Sequence, residues 1–371
     1  MSVNYLYIDD DSSQRASGTV LGFTKGGVIN VELNQPKSTW EQQQIFIADK
    51  QLDGLILDLR LDDYANIEDG TKANFRGTSL AQEIRTRQKE GILKDFPIVL
   101  FSANDKVMQS LDNSGKDLFD ICFKKDSITS DEIFEKQFIP QLYALSNGYY
   151  TIKEFSNDLQ KTLNVDTDFI DDRFLAELSN LTNNPPHIIA HFVIEELILR
   201  QGLLINERVL GARLGIDIEN SQDWDKVIES LTSTKYNGVF NEGWQRWWMP
   251  LVENWWNEVI QAETYLRSTP ATERVELIKS KLNLNDIQPA QKIEKADSED
   301  FWTVCKGYNR PLDTIDGLVI DGQENLYPWQ EPEYVSVEAA LNRKNIEDWV
   351  KVAKLEMEHL KELQKIYQRV R

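Results

Sequence analysis

The feature that most constrains this chain is a series of short, bulky apolar runs in its first 150 residues, each followed by a stretch of helical character. Five runs qualify as strands: Tyr5 to Ile8, Val28 to Leu33, Gly54 to Leu57, Ile98 to Ser102 and Ile121 to Phe123. Helices are expected near 12–24, 38–51, 78–89, 106–117 and 129–146. Strands joined through helices are parallel neighbours, because a parallel pair needs a long crossover that a hairpin turn cannot supply. The runs are apolar throughout rather than alternating, as strands covered on both faces are. An α/β parallel sheet flanked by helices is the expected architecture here.

In such a sheet, functional side chains collect at the carboxyl ends of the strands. The first run ends in Asp9 and Asp10, the third in Asp58, the fourth in Ser102 and the fifth in Lys124. Crowded carboxylates repel one another unless a hard cation sits among them, and magnesium suits an all-oxygen site that keeps some of its waters. A lysine and a hydroxyl beside that ion can bind the remaining oxygens of a phosphoryl group in flight. Taken singly, Asp9 and Asp10 read equally well as solvated loop acids, Asp58 as a helix cap and Lys124 as a surface lysine. All five at strand ends in this order point to phosphoryl transfer to a carboxylate.

The segments YLYIDDD, DGLILDLRL, IVLFSAND and DICFKKD resemble the receiver domain of bacterial response regulators, over roughly residues 3–147. The resemblance implies a flavodoxin-like doubly wound five-stranded parallel sheet. It also implies that Asp58 is the phosphoacceptor, that Asp9 and Asp10 hold Mg2+ with the main-chain carbonyl of Arg60, and that Ser102 and Lys124 contact the phosphoryl group. The implied donor is a histidine kinase or histidine phosphotransfer protein, as in a two-component phosphorelay. A receiver is not a conventional enzyme, although it assists its own phosphorylation and dephosphorylation.

Departures from the family pattern accompany the matches. The loop after Asp58, LRLDDYANIEDGTKANFRG, is longer than the family's, and Asp62 stands where proline is usual. The insertion near 62–76 reads either as a shield or docking element for the acyl phosphate or as a tolerated surface loop. Lys125 replaces the proline that commonly follows the family's lysine, and Ile121 takes the place of a switching aromatic. Arg60 and Asn104 occupy the positions that tune the lifetime of the phosphoryl group.

A chain of 371 residues is long enough for two domains, expected at 1–148 and 149–371. Its formal charge of -20 is shared by both parts, which disfavours nucleic acid as a partner. Cys122 and Cys305 form neither a disulfide framework nor a zinc spacing, in keeping with a reducing compartment. No apolar stretch approaches the roughly 18 residues of a membrane span, and the start lacks the pattern of a leader, so the cytoplasm is expected.

After about residue 148, helices are expected near 151–163, 170–182, 186–201, 206–214, 222–232, 250–267 and 271–282. A polar linker follows from Asp286 to Asp300, then a Pro- and Gly-punctuated region from Gly307 to Tyr334 that contains DGLVIDG and is expected to be irregular with one short hairpin. The spacing of Ile346, Val350, Ala353, Met357, Leu360 and Tyr367 predicts a closing helix over 345–370, packed on its own domain or paired with a second copy.

Other candidates in this part each carry two readings. His187 and His191 lie one helical turn apart, with Glu195 and Glu196 beyond them. They are either metal ligands short of a third partner or ordinary helix histidines. NERVLGARLGID resembles half of a helix-turn-helix, but the helix expected next, DWDKVIESL, is acidic where DNA contact needs basic residues. Trp244, Trp247, Trp248, Trp255 and Trp256 are either core or an aromatic surface for a protein partner. Four functions follow for the second part: a protein-interaction output, scaffold for a phosphoryl sink or buffer of the kind used in anti-phage two-component systems, a DNA-binding regulator, or an enzyme centred on 301–335 with Cys305.

Overall fold

A computed structural model describes residues 2–11, 14–67, 70–102, 117–128, 130–346 and 349–369. Its chain divides into two compact units: residues 1–167 with 175–195 and 237–244, and residues 168–174 with 196–236 and 245–371. The expected cut after residue 148 falls inside a continuous helix, Ile139–Phe155, whose buried Leu142, Leu145, Tyr149 and Ile152 keep it one element.

The first unit holds β1 (Val3–Ile8), β2 (Ile29–Asn34), β3 (Gly54–Leu57), β4 (Ile98–Ser102) and β5 (Ile121–Lys124), in the order β2-β1-β3-β4-β5. All four pairings are parallel. This is the flavodoxin-like doubly wound order, with the chain reversing direction across the sheet beside β1 and β3. The described connecting helices are α1 (Gln14–Phe23), α2 (Trp40–Ala48) and α3 (Gly77–Lys89). The helix expected near 106–117 lies, apart from Asp117, outside the described residues, and so does Asn104.

Both faces of the sheet are covered. Leu6, Ile8, Leu55, Leu57, Ile98 and Leu100 join one apolar cluster with Leu80, Ala81 and Ile84 of α3. On the other face Tyr7, Phe23, Phe101, Phe134 and Phe138 meet edge to face, their ring centroids 5.2–6.1 Å apart. Each such side chain contributes about 1.5–3 kcal/mol by leaving water.

Register then places the chemistry. Ile8 pairs with Leu57, and Leu57 with Leu100, so the residues that follow β1 and β3 emerge level with each other. After the insertion, α3 begins against the backbone of the same strand end, where a Cβ on Gly77 would come within 2.3 Å of the Asp58 carbonyl oxygen. Only glycine allows that approach.

The second unit is largely helical, with three two-stranded ribbons: Leu204–Ile205 with Trp247–Trp248, Thr303–Val304 with Pro311–Leu312, and Gly317–Val319 with Tyr334–Ser336. In the last of these, the DGLVIDG strand pairs across residues 320–333 rather than in a short hairpin. Trp247, Trp255 and Trp256 lie in its main apolar cluster with Trp224 and Trp302, and Trp248 is also buried. Trp244, in the first unit, is buried as well. The aromatic run is therefore core, the first of its two readings, and not an exposed binding surface.

Two further expectations are corrected in this unit. The stretch from Asp286 to Asp300 is not a free linker, because Ile287, Ala290 and Ile293 are buried and Pro289 bridges to Ile216. The closing helix spans only Met357–Arg369. Upstream, Val352 forms a β-bridge to Ile320 and the Ala353 amide donates to the Val319 carbonyl at 2.9 Å, so those apolar residues are buried by strand pairing.

Candidate functional site

Asp9 and Asp10 leave the end of β1, Asp58 leaves β3, and Ser102 closes β4; all four are buried. One carboxylate oxygen from each of Asp9, Asp10 and Asp58 lies within 4.8 Å of the other two, the only such cluster among the described residues able to hold a metal ion. The three carboxylates expected at one place are brought together there. Ser102 pairs in register with Lys124 across β4 and β5.

The ammonium that meets these acids is that of Lys125, not Lys124. Lys125 Nζ is 2.6 Å from Asp9 Oδ2 and 3.1 Å from Asp58 Oδ1. Lys124 is exposed, and its carbonyl accepts the Ser127 hydroxyl at 2.7 Å. The cause is where β5 stops: successive strand residues face opposite sides, and after Lys124 the chain turns into the short helix Lys125–Ser127, which carries the next side chain into the crevice. With Lys125 in that place, the residue following it is Asp126, and the position three before it is the exposed Cys122 rather than Ile121.

Sequence reasoning also missed Tyr7, whose hydroxyl donates to Asp9 Oδ2. Burial and the neighbouring Asp9 charge push its phenol far up, so it serves only as a donor. Nothing in the sequence marks it apart from its place two residues before Asp9. The Asp11 amide donates to Asp9 Oδ1 at 2.9 Å. The amide of Arg60 donates to Asp58 Oδ2 at 3.3 Å, while its guanidinium reaches Asp63 at 2.6 Å and Asp62 at 3.4 Å.

The electrostatics follow from burial without charge balance. Burial pushes the Asp58 carboxyl up to about 6; Lys125 opposes that shift and Asp9 adds to it. Asp10 is also raised, by burial first, against the amides of Tyr64 and Asp63 that favour its charged form. For Lys125 burial works against the charged form, but Asp58 and Asp9 outweigh it and the net shift is upward. Among the described residues, one ammonium therefore pairs with two of the three carboxylates, Asp9 and Asp58, and negative charge is in excess in a poorly solvated place. A donor set of hard oxygens with that excess fits a magnesium ion.

Among the described residues, the histidine pair belongs to no group able to hold a metal ion. His191 Nε2 stands 3.5 Å from Asp117 Oδ1, and burial, with help from Arg85, lowers His187 to about 4. In the half helix-turn-helix, Arg213 is fully buried, stacked 4.3 Å from the Trp302 ring and bonded to Glu331, so it is not available to a phosphate backbone.

No family model matches this chain, and no curated protein matches it. Among solved structures, the N-terminal part of the chain is similar to several receiver domains. A CheY-like receiver domain from Methylobacillus flagellatus is 18% identical, the match covering 34% of this chain and 87% of that one, with a TM-score of 0.25. The chemotaxis response regulator CheY4 of Vibrio cholerae is 15% identical, covering 37% and 95%, with a TM-score of 0.26. A third is the complex of the Saccharomyces cerevisiae phosphotransfer protein Ypd1 with the receiver domain of Ssk1, at 14% identity, 39% and 90% coverage and a TM-score of 0.28. At those scores the likenesses carry no weight beside the strand order and the side chains themselves. Among the described residues, no helix is long and apolar enough to cross a membrane.

Proposed function

We propose that this protein is a response-regulator-like signalling protein that accepts a phosphoryl group on Asp58 from a histidine kinase or a histidine phosphotransfer protein. The observation that supports this is the buried trio of carboxylates at the carboxyl ends of neighbouring strands, with the Lys125 ammonium against Asp9 and Asp58. In this reading Asp9, Asp10 and Asp58, with the Arg60 carbonyl, hold magnesium. Bound there, the ion would supply positive charge to the phosphoryl oxygens and to the crowded acids.

The chain's own groups do the rest. An Asp58 carboxylate oxygen attacks phosphorus, the donor's P–N bond breaks as the new O–P bond forms, and the imidazole leaves with its electron pair and is protonated by solvent. Lys125 keeps the attacking carboxylate aimed through its 3.1 Å contact and then pairs with the phosphoryl oxygens. Ser102, at the tip of the adjacent strand, offers a hydroxyl to another of those oxygens. Tyr7 and the Asp11 amide fix Asp9.

The second unit is then an interaction output or the scaffold of a phosphoryl store. Burial of the tryptophans favours the store, since it removes the feature that suggested an aromatic docking face. The test of the acceptor is incubation with labelled acetyl phosphate and magnesium: native protein takes up label and Asp58→Ala does not. Label retained by Asp58→Ala overturns the assignment. A pull-down with and without beryllium fluoride separates the two roles of the second unit, because only an output changes partners with phosphorylation state.

A further inference from the structure

The insertion after Asp58 has a structure of its own, and it grips one of the three carboxylates. The main-chain amides of Asp63 and Tyr64 both donate to Asp10 Oδ2, each at 2.7 Å. Hydrogen bonds to an ionised acceptor are among the strong ones. They leave Asp10 Oδ1 out of these bonds, on a side chain whose neighbours in the cluster are Asp9 and Asp58.

A second tie reaches the main chain of the same residue. Gln35 donates from Nε2 to the Asp10 carbonyl at 3.1 Å and accepts the Ile67 amide on Oε1 at 2.9 Å. The segment can hold Asp10 because it is itself held. Asn66 donates to Thr71 O at 2.8 Å and to Pro36 O at 3.1 Å, Lys72 donates to Asp63 O at 2.8 Å, and Leu61, Ala73 and Phe75 are buried in the core at its two ends. Arg60 draws the Asp63 carboxylate to itself at 2.6 Å, and the segment's two amide dipoles weigh more on Asp10 than the Asp63 charge does.

We infer that residues 61–67 and 70–76, with Gln35, form a positioning element for the magnesium cup, coupling the order of these residues to occupancy of the metal site. The inference rests on the magnesium reading proposed above. Without a cation, three carboxylates repel and the cheapest relief is for one to rotate outward; the two amides hold Asp10 in its ligating pose. Partners that orient a ligand in this way are commonly worth about ten- to a hundredfold in metal affinity. Coupling of this kind is reciprocal, so the ion must tighten the segment by the factor that the segment tightens the ion.

The test uses the full chain and magnesium chloride alone. Amide exchange at Asp63 and Tyr64 is measured with and without the ion, and magnesium affinity is measured calorimetrically for native protein and Gln35→Ala. The expected result is slower exchange at both amides on adding magnesium and about tenfold weaker binding by Gln35→Ala. Exchange that ignores magnesium, in native protein that does bind it, overturns the coupling and leaves the acceptor reading intact. So does equal affinity in a folded Gln35→Ala. Native protein that binds no magnesium overturns both, and the exchange experiment decides the coupling even if the variant does not fold.

Discussion

The two ends of one parallel sheet bury ions in opposite ways. At the amino ends, Arg85 Nη2 lies 2.7 Å from Asp120 Oδ2, and both residues are buried. That carboxylate also accepts the Ile98 amide at 2.7 Å and the Tyr149 hydroxyl at 2.6 Å, while Arg85 donates to Leu118 O, Phe96 O and Gln88 Oε1 at 2.9–3.2 Å. One cation meets one anion, and the protein supplies their hydrogen bonds. At the carboxyl ends, Asp9, Asp10 and Asp58 meet only Lys125 among their described ion-pair partners. Burial is similar, but the charge count is not. What separates the two ends here is stoichiometry: the first is balanced, and the second carries an excess of negative charge among the described residues.

That difference can be broken or sharpened by substitution. Arg85→Ala leaves a buried carboxylate without its cation and should cost about 3–5 kcal/mol in urea unfolding, with or without magnesium. A change that magnesium rescues would mean the two ends are not independent.

The next effect belongs to pH. The native Asp58 carboxyl, raised from 3.8 to about 6, binds its proton more tightly than the unfolded chain does. Its contribution is therefore fully present below the unfolded value and is lost as pH rises through about 6. At about 1.4 kcal/mol per unit, that amounts to roughly 3 kcal/mol between acid and neutral pH in chelator. Asp58→Asn should abolish this slope and magnesium should flatten it, as read by unfolding at a series of pH values. An unchanged slope in Asp58→Asn would place the proton elsewhere.

Lys125→Ala removes the cation that pairs with Asp9 and Asp58 among the described residues. In chelator at neutral pH it should cost about 2 kcal/mol, the scale of an opposite charge on a buried carboxylate, and it should also slow labelling by acetyl phosphate. The smallest effect is that of Lys124→Ala on the exposed side, less than about 1 kcal/mol with labelling preserved. If the two lysine variants exchange these behaviours, the assignment of the ammonium reverts to Lys124.

The contrast between those lysines shows where the sequence was legible. Gly54–Leu57 and Ile98–Ser102 are the strands expected, since an unbroken apolar run bounded by turns leaves little freedom. Asp9, Asp10 and Asp58 follow such runs directly, and their convergence could be read from order alone. Lys124 and Lys125 are adjacent and chemically identical, and the choice between them depends on where β5 yields to a turn, a boundary that pattern does not fix. The grip of the insertion on Asp10 was invisible for another reason: main-chain amides leave no mark in a sequence. In the second unit, Val350 and Ala353 kept helical spacing with Met357 while the chain there bridges to a strand, because periodicity reports burial and not the partner that provides it.

The most direct test of the central claim is the chemical position of the phosphoryl group. Native protein is incubated with acetyl phosphate and magnesium, the acyl phosphate is reduced with borohydride, and the peptides are sequenced by mass spectrometry. Conversion of Asp58 alone to homoserine, dependent on the divalent ion, is the predicted result. Conversion at another carboxylate, or at Asp58 without any divalent ion, would contradict the account.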